Sequence, residues 1–204
     1  MEQIASYIDV LQQTLDRLPK GLIAQVIDIL HNARMNGKQI FIMGNGGSAS
    51  TASHFVCDLA KNTRKDNIPH YRVIGLTDNM AIFSAYANDD GYENVFAQQL
   101  ANLIKPNDVV IGISASGNSQ NVLNAIVEAK KYNATTIAFT GFDGGHLGQM
   151  VNINIHVKSD IIEHVEDIHL ILEHMIVKVI KEQAILNANI TTSVAELPVG
   201  VIGD

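Results

Sequence analysis

The sequence predicts an α/β fold, a parallel sheet with helices on both faces behind a helical N-terminal extension, and three observations predict it. Five short β-branched or apolar runs, most of them bounded by turn-forming residues, are spread through residues 39–157. Stretches with helical periodicity separate most of these runs, and strand–helix alternation builds parallel sheets. The central runs are apolar throughout, as strands covered on both faces must be.

Residues 1–36 read as helical, because "IASYIDVLQQTLDRL" and "GLIAQVIDILHNARMNG" place apolar residues at three- and four-residue spacing. Gly37 stands where a helix stop is favoured. The first strand is "QIFIMG" (39–44), followed by "YRVIGLT" (71–77), "DVVIGIS" (108–114), "TTIAFTG" (135–141) and "INIHV" (153–157). Helical stretches fall at 48–61, 79–86, 92–104 and 119–132, and a long final helix at about 160–186. The segment "TGFDGGHLG" reads as a turn at the end of the fourth strand. The tail "NANITTSVAELPVGVIGD" (187–204) loses the helical period and is expected to be extended or partly mobile.

At 204 residues the chain is long enough for one sizeable core. Only 17% of residues are charged, which is low, so subunit interfaces are expected. A formal net charge of −7 argues against direct nucleic-acid binding, which needs clustered Lys and Arg. The single cysteine, Cys57, excludes an intrachain disulfide and fits a reducing cytoplasm; as a side chain it is expected to be small and buried. The N-terminus has no apolar signal-like region, and no run approaches membrane-spanning length.

Two loops echo one another. "GNGGSAS" follows the first strand and "SASGNSQ" the third. A loop that leaves the C-terminal end of a parallel strand and opens a helix presents unpaired N–H groups and a partial positive charge to an anion. Either loop alone is equally a helix cap and a turn. In a flavodoxin-like order, however, strands one and three are neighbours, and both loops would line one crevice. Neither carries a dinucleotide fingerprint or a P-loop lysine, which favours a single phosphate on a small molecule.

The combination of "GNGGS" with a following "HF", "ISASGNS", "TGFDGG" and "VEDIHLILEH" resembles the sugar-isomerase (SIS) domain family, and most closely its phosphoheptose isomerase branch. The resemblance covers roughly residues 1–185. It implies a five-stranded parallel sheet between helices, with N-terminal helices (1–36) that pack in the oligomer, an SIS domain (37–186) and a tail (187–204). It implies a homotetramer with active sites between subunits. The activity it implies is the interconversion of sedoheptulose 7-phosphate and D-glycero-D-manno-heptose 7-phosphate, feeding the synthesis of lipopolysaccharide or other cell-surface heptose glycans.

Site residues follow from the same resemblance. Phosphate and sugar fall to Asn45, Gly46, Gly47 and Ser48 of the first loop, to Ser114, Ala115, Ser116 and Ser119 of the second, and to Asn88, Asp89 and Glu166. The family commonly has Thr at the position of Ala115. The acid–base pair falls on Asp58 and His174, and Asp58 replaces a Glu. The shortened carboxylate sits roughly an ångström back, a shift that can cost about 100-fold in rate. Some members hold one zinc ion per subunit, at the positions of His54, Asp58, Glu166 and His174. Glu163, His164 and Asn62 replace an Asp and two Arg residues of the family.

The chemistry asks for these residue types. Aldose–ketose isomerisation needs a base over two adjacent carbons, an acid or Lewis acid at the carbonyl oxygen, and a grip on the distant phosphate. His54 and Asp58, four residues apart, share a helix face and suit one metal or one proton. Glu166 and His174 are separated by about 12 Å of helix, so one ion can take both only from different subunits. His169 is expected beside the site as a supporting partner. His31, His70, His146 and His156 receive no role. Two other readings stay open: an isomerase of another phosphosugar, and a non-catalytic SIS protein that binds the replication initiator.

Overall fold

The computed structural model describes residues 1–195; from residue 184 onward it describes only the backbone. Five parallel strands, β1 (Gln39–Gly44), β2 (Arg72–Gly75), β3 (Val109–Ser114), β4 (Thr135–Thr140) and β5 (Ile153–His156), pair in the order β2-β1-β3-β4-β5. This is the order that makes strands one and three neighbours. Ile40 of β1 stands opposite Val109 of β3, and Gly44 opposite Ile113, so both strands deliver their loops to the same edge.

Helices cover both faces, as the unbroken apolar runs require. On one side α2 (Lys20–Met35), α3 (Gly47–Cys57) and α8 (Ile162–Ala195) bury Val26, Leu30, Phe55, Val165 and Leu172 against Ile40, Ile42, Ile111 and Phe139. On the other, α5 (Val95–Leu103), α6 (Gln120–Lys131) and α7 (Gly145–Met150) bury Phe96, Leu100, Val122, Ile126 and Leu147 against Phe41, Met43 and Val110. The helix α4 (Met80–Asp89) lies outside α5, its Phe83 edge-on to Phe96. Burial of this kind contributes about 25 cal/mol per Å² of apolar surface.

The N-terminal segment divides in two. The helix α2 belongs to the core of its own domain, whereas α1 (Glu2–Asp16) buries only Thr14 and exposes Ile4 and Ile8. Gly37 ends α2 at a φ of +63°, a conformation open to glycine and costly to other residues.

Three elements differ from expectation. The final helix continues through 187–195, where extended chain is expected. The sequence explains it: Leu186, Ile190 and Val194 keep a four-residue spacing that the intervening Asn and Thr conceal. The rest of the expected tail, 196–204, lies outside the described residues. "TGFDGGHLG" is only partly a turn, because Gly145 opens the six-residue helix α7, too short to show a period. The helix expected at 48–61 changes character at Asp58, where a π-helical turn (Asp58–Asn62) takes over. Such widened turns are rare and gather at functional sites.

Candidate active site

The first loop is a tight turn, in which Gly44 approaches the backbone of Ser48 and Gly46 takes a φ of +55°. Ser48 is buried within it. Asn45 reaches across to the second loop. Its amide exchanges two hydrogen bonds of 2.9 Å with the side chain of Asn121, in the first turn of α6, and Asn121 is buried. The Asn45 carbonyl also accepts a hydrogen bond from the Tyr92 hydroxyl at 2.9 Å. Neither Asn121 nor Tyr92 is visible as a site residue in the sequence. An Asn one step inside a helix after a Ser-rich loop is the only trace the first leaves.

In the second loop the hydroxyls of Ser114 and Ser119 lie 3.1 Å apart, and Ser119 stands at the N-terminus of α6. The Ser116 hydroxyl accepts the Asn118 N–H. Gly117, at a φ of +65°, packs directly on the Gly144 carbonyl, where any side chain would collide. The N–H of Leu147 donates to the Gly117 carbonyl, and that of His146 to the Asn118 side chain. The loop after β4 therefore braces the serine loop from behind. Ala115 is buried and offers only backbone.

The helices α3 and α8 run side by side in the same sense. A side chain on Gly47 would lie 2.5 Å from a carboxylate oxygen of Glu166, whereas seven residues further along α3 His54 meets His174. The two Nε2 atoms are 3.4 Å apart, with the rings nearly perpendicular. His54 Nε2 lies 3.9 Å from Asp58 Oδ1, and Asp58 accepts a 2.6 Å hydrogen bond from Asn62 inside the π-helical turn. His174 Nε2 lies 3.4 Å from a carboxylate oxygen of Glu173. One donor atom from each of His54, Asp58, Glu173 and His174 falls within 4.8 Å of the others, and this group could hold a metal ion.

Glu166 thus belongs to the loop end and not to this group; within one chain, Glu173 stands where the expected ligand set has Glu166. The reason is the helical rise, which separates residues 166 and 174 by about 12 Å. A carboxylate beside the N-terminus of α3 is favourable to that helix, and it turns away a second anion there. Glu173 is fully buried, and burial followed by the nearby Asp58 charge raises its pKa to about 8. Glu173 lies four residues before buried Val177 and seven before buried Ile180, on the apolar stripe of α8, a placement the sequence alone does not mark.

A model of the SIS domain family matches residues 5–141. The chain belongs to this family. It is 40% identical over 161 residues to the probable phosphoheptose isomerase of Thermoplasma acidophilum, covering 79% of this chain and 88% of that one. It is 35% identical to the phosphoheptose isomerase of Geotalea daltonii, covering 90% and 96%. A solved phosphoheptose isomerase from Francisella tularensis superposes with a TM-score of 0.82 at 32% identity, covering 89% and 97%.

The remaining expected residues of this SIS domain are placed as follows. Asn88 and Asp89 are exposed at the end of α4, hydrogen-bonded to one another, while Tyr92 of the same segment makes the contact with the first loop. His169 lies one helical turn before Glu173 on α8 and is not one of the four residues that could hold a metal. It is buried against Phe139, its Nε2 3.3 Å from the Thr140 carbonyl, and burial lowers its pKa to about 4. Cys57 is exposed, contrary to expectation, because it falls on the outer face of α3. His164 is buried edge-on to Tyr7, whose hydroxyl donates to Asp167. Among the described residues, no helix is long and apolar enough to cross a membrane.

Proposed function

We propose that the chain is a phosphoheptose isomerase that interconverts sedoheptulose 7-phosphate and D-glycero-D-manno-heptose 7-phosphate through an enediol. The observation that carries this reading is the parallel course of α3 and α8. It sets a carboxylate and two imidazoles about 10 Å along the helix from the loop end, where a neutral anion site opens. The names of the relatives and the combination of loop motifs support the same substrate class.

Ser114, Ser116 and Ser119, with the first N–H groups of α6, hold the phosphate; Asn45, fixed by Asn121 and Tyr92, steers the chain of the sugar. Asp58 takes the proton from one carbon and returns it to the neighbour. Its hydrogen bond from Asn62 keeps the shortened carboxylate in one orientation. His174 serves the carbonyl oxygen as proton donor. In place of that proton donor, a divalent cation such as zinc would be held by His54, Asp58 and His174 and would polarise the carbonyl as a Lewis acid. Their donor set, imidazole nitrogen with carboxylate oxygen, suits that ion. A homotetramer is part of the reading, and the exposed Ile4 and Ile8 on α1 support an interface there. So is a place in the cytoplasm, which an exposed free Cys57 suits.

The test is turnover. Purified protein mixed with sedoheptulose 7-phosphate, with zinc and after chelation, is expected to yield the aldose. No aldose under either condition overturns the reading.

A further inference from the structure

We infer that Glu173 is a direct metal ligand, so that His54, Asp58, Glu173 and His174 form a complete four-ligand site within one chain, without Glu166. The inference deepens the isomerase reading of the same site and rests on it only for what the ion would do there.

Three observations lead to it. Glu173 is fully buried, and among the described residues neither of its carboxylate oxygens has a hydrogen-bond partner. A buried carboxylate without partners is costly, and buried charges are characteristically paired or bound to a cation. The side chain is also aimed at the right place: one oxygen lies 3.4 Å from His174 Nε2, itself 3.4 Å from His54 Nε2. Two ligands of a tetrahedral zinc at nitrogen distances near 2.0–2.1 Å are separated by about 3.3 Å, so these spacings are those of edges around one ion. Finally, two Nε2 atoms in close contact at a half-exposed position gain little from each other, since one must give up its proton to the pair. Both lone pairs turned on a cation resolve that contact.

The local sequence explains how adjacent residues can serve one site. Consecutive side chains leave a helix about 100° apart. His174 therefore approaches from the exposed flank of α8, and Glu173 from beneath, out of the core. Asp58, one methylene shorter than the Glu its resemblance leads one to expect, leaves room beside it for a second carboxylate. Two carboxylates give the site a formal charge of −2, which matches a divalent cation.

The test uses the full chain, stripped with a chelator and titrated with zinc alone. Wild type is expected to bind one zinc per chain. Cobalt in its place is expected to show the intense visible bands of four-coordinate geometry. Glu173→Gln is expected to weaken zinc binding at least 10-fold to 100-fold and to dim the cobalt bands, whereas Glu166→Gln leaves both as in wild type. Glu173→Leu guards against a folding artefact. Its metal-free melting temperature is expected to equal or exceed that of wild type, because it removes a buried polar group without a hydrogen-bond partner, and the rise in melting temperature on adding zinc is expected to vanish. Wild-type zinc affinity in both Glu173 variants, or its loss in Glu166→Gln, overturns the inference. No sugar enters these measurements. An inactive protein that binds zinc as described sinks the isomerase reading alone, and an active one whose zinc ignores residue 173 sinks this inference alone.

Discussion

The two ends of the crevice solve opposite problems. At the loop end, beside the Glu166 carboxylate, the groups of the two loops are neutral and paired: Asn45 with Asn121 and Tyr92, Ser114 with Ser119, Gly117 against Gly144. At the other end, seven residues along α3, two imidazoles crowd together over a buried acid that lacks a hydrogen-bond partner among the described residues. A satisfied network is rigid and ready before any ligand arrives, which suits a phosphate whose shape never changes. An unsatisfied cluster holds its polar groups at a cost in stability, and that cost is returned when a ligand or a proton enters. On the proposed reading, the loop end serves position and the cluster serves reaction.

This contrast is open to attack from both ends. The largest effect is expected at Asp58. Asp58→Asn keeps a polar side chain beside Asn62 but removes the base, and kcat for sedoheptulose 7-phosphate is expected to fall about 10²- to 10⁴-fold with KM little changed. A near-wild-type kcat would move the reactive role elsewhere in the cluster.

The second attack uses pH on α8, where His169 is, with His164 and Glu173, a buried titratable group. Its pKa of about 4 lies below the ordinary 6.5, so the unfolded chain binds the extra proton first. The stability contribution is complete above pH 6.5 and is lost as pH falls from there toward 4. Between pH 7 and pH 5 this amounts to about 2 kcal/mol. Urea midpoints of wild type and His169→Leu, compared at both pH values without metal, are expected to show a smaller acid loss in the variant. Equal losses would remove His169 from the account.

At the anchored end, Asn121→Ala is expected to cost about 1–2 kcal/mol in urea unfolding and to raise KM several-fold while kcat holds, because the first loop loses its tie to α6. A fall in kcat with KM unchanged would show that the two ends are not separable. The smallest effect is expected for Tyr92→Phe. One partly exposed hydrogen bond is lost, with less than about 1 kcal/mol in stability and at most a few-fold rise in KM.

The sheet was readable from sequence because each β-branched run is short and bounded; all five strands fall within two residues of the expected ranges. The loops stood out as a pair, since either alone could be a helix cap and a turn, whereas two such loops after neighbouring strands face one crevice. The spacing of His54 and Asp58 placed them on one helix face, but only the neighbouring loops and the resemblance set them apart from an ordinary surface pair. What escaped depends on contacts between distant segments. Tyr92 matters only because the turn between α4 and α5 delivers it to Asn45, 47 residues away in sequence. Glu173 was hidden by its neighbours, an acid in a row of aliphatic residues that reads as an ordinary amphipathic helix until its buried face is known. Glu166 was assigned to the metal by resemblance, and the rise of α8 carries it to the other end of the crevice.

The side-by-side course of α3 and α8 has one more consequence. Both ends of the crevice hang on regular helix, so the distance between anchor and cluster is a ruler marked in steps of about 1.5 Å per residue. One carbon–carbon bond of a sugar chain is roughly the same length, about 1.5 Å. On the proposed reading, with the phosphate at the serine loop and the carbonyl at Asp58, chain length more than the identity of any hydroxyl is what the scaffold measures, and a phosphosugar with one carbon fewer would bring its carbonyl up one graduation short of Asp58. Retuning the enzyme to a shorter sugar is a matter of moving the mark along the helix, and the loops that grip the phosphate need not change.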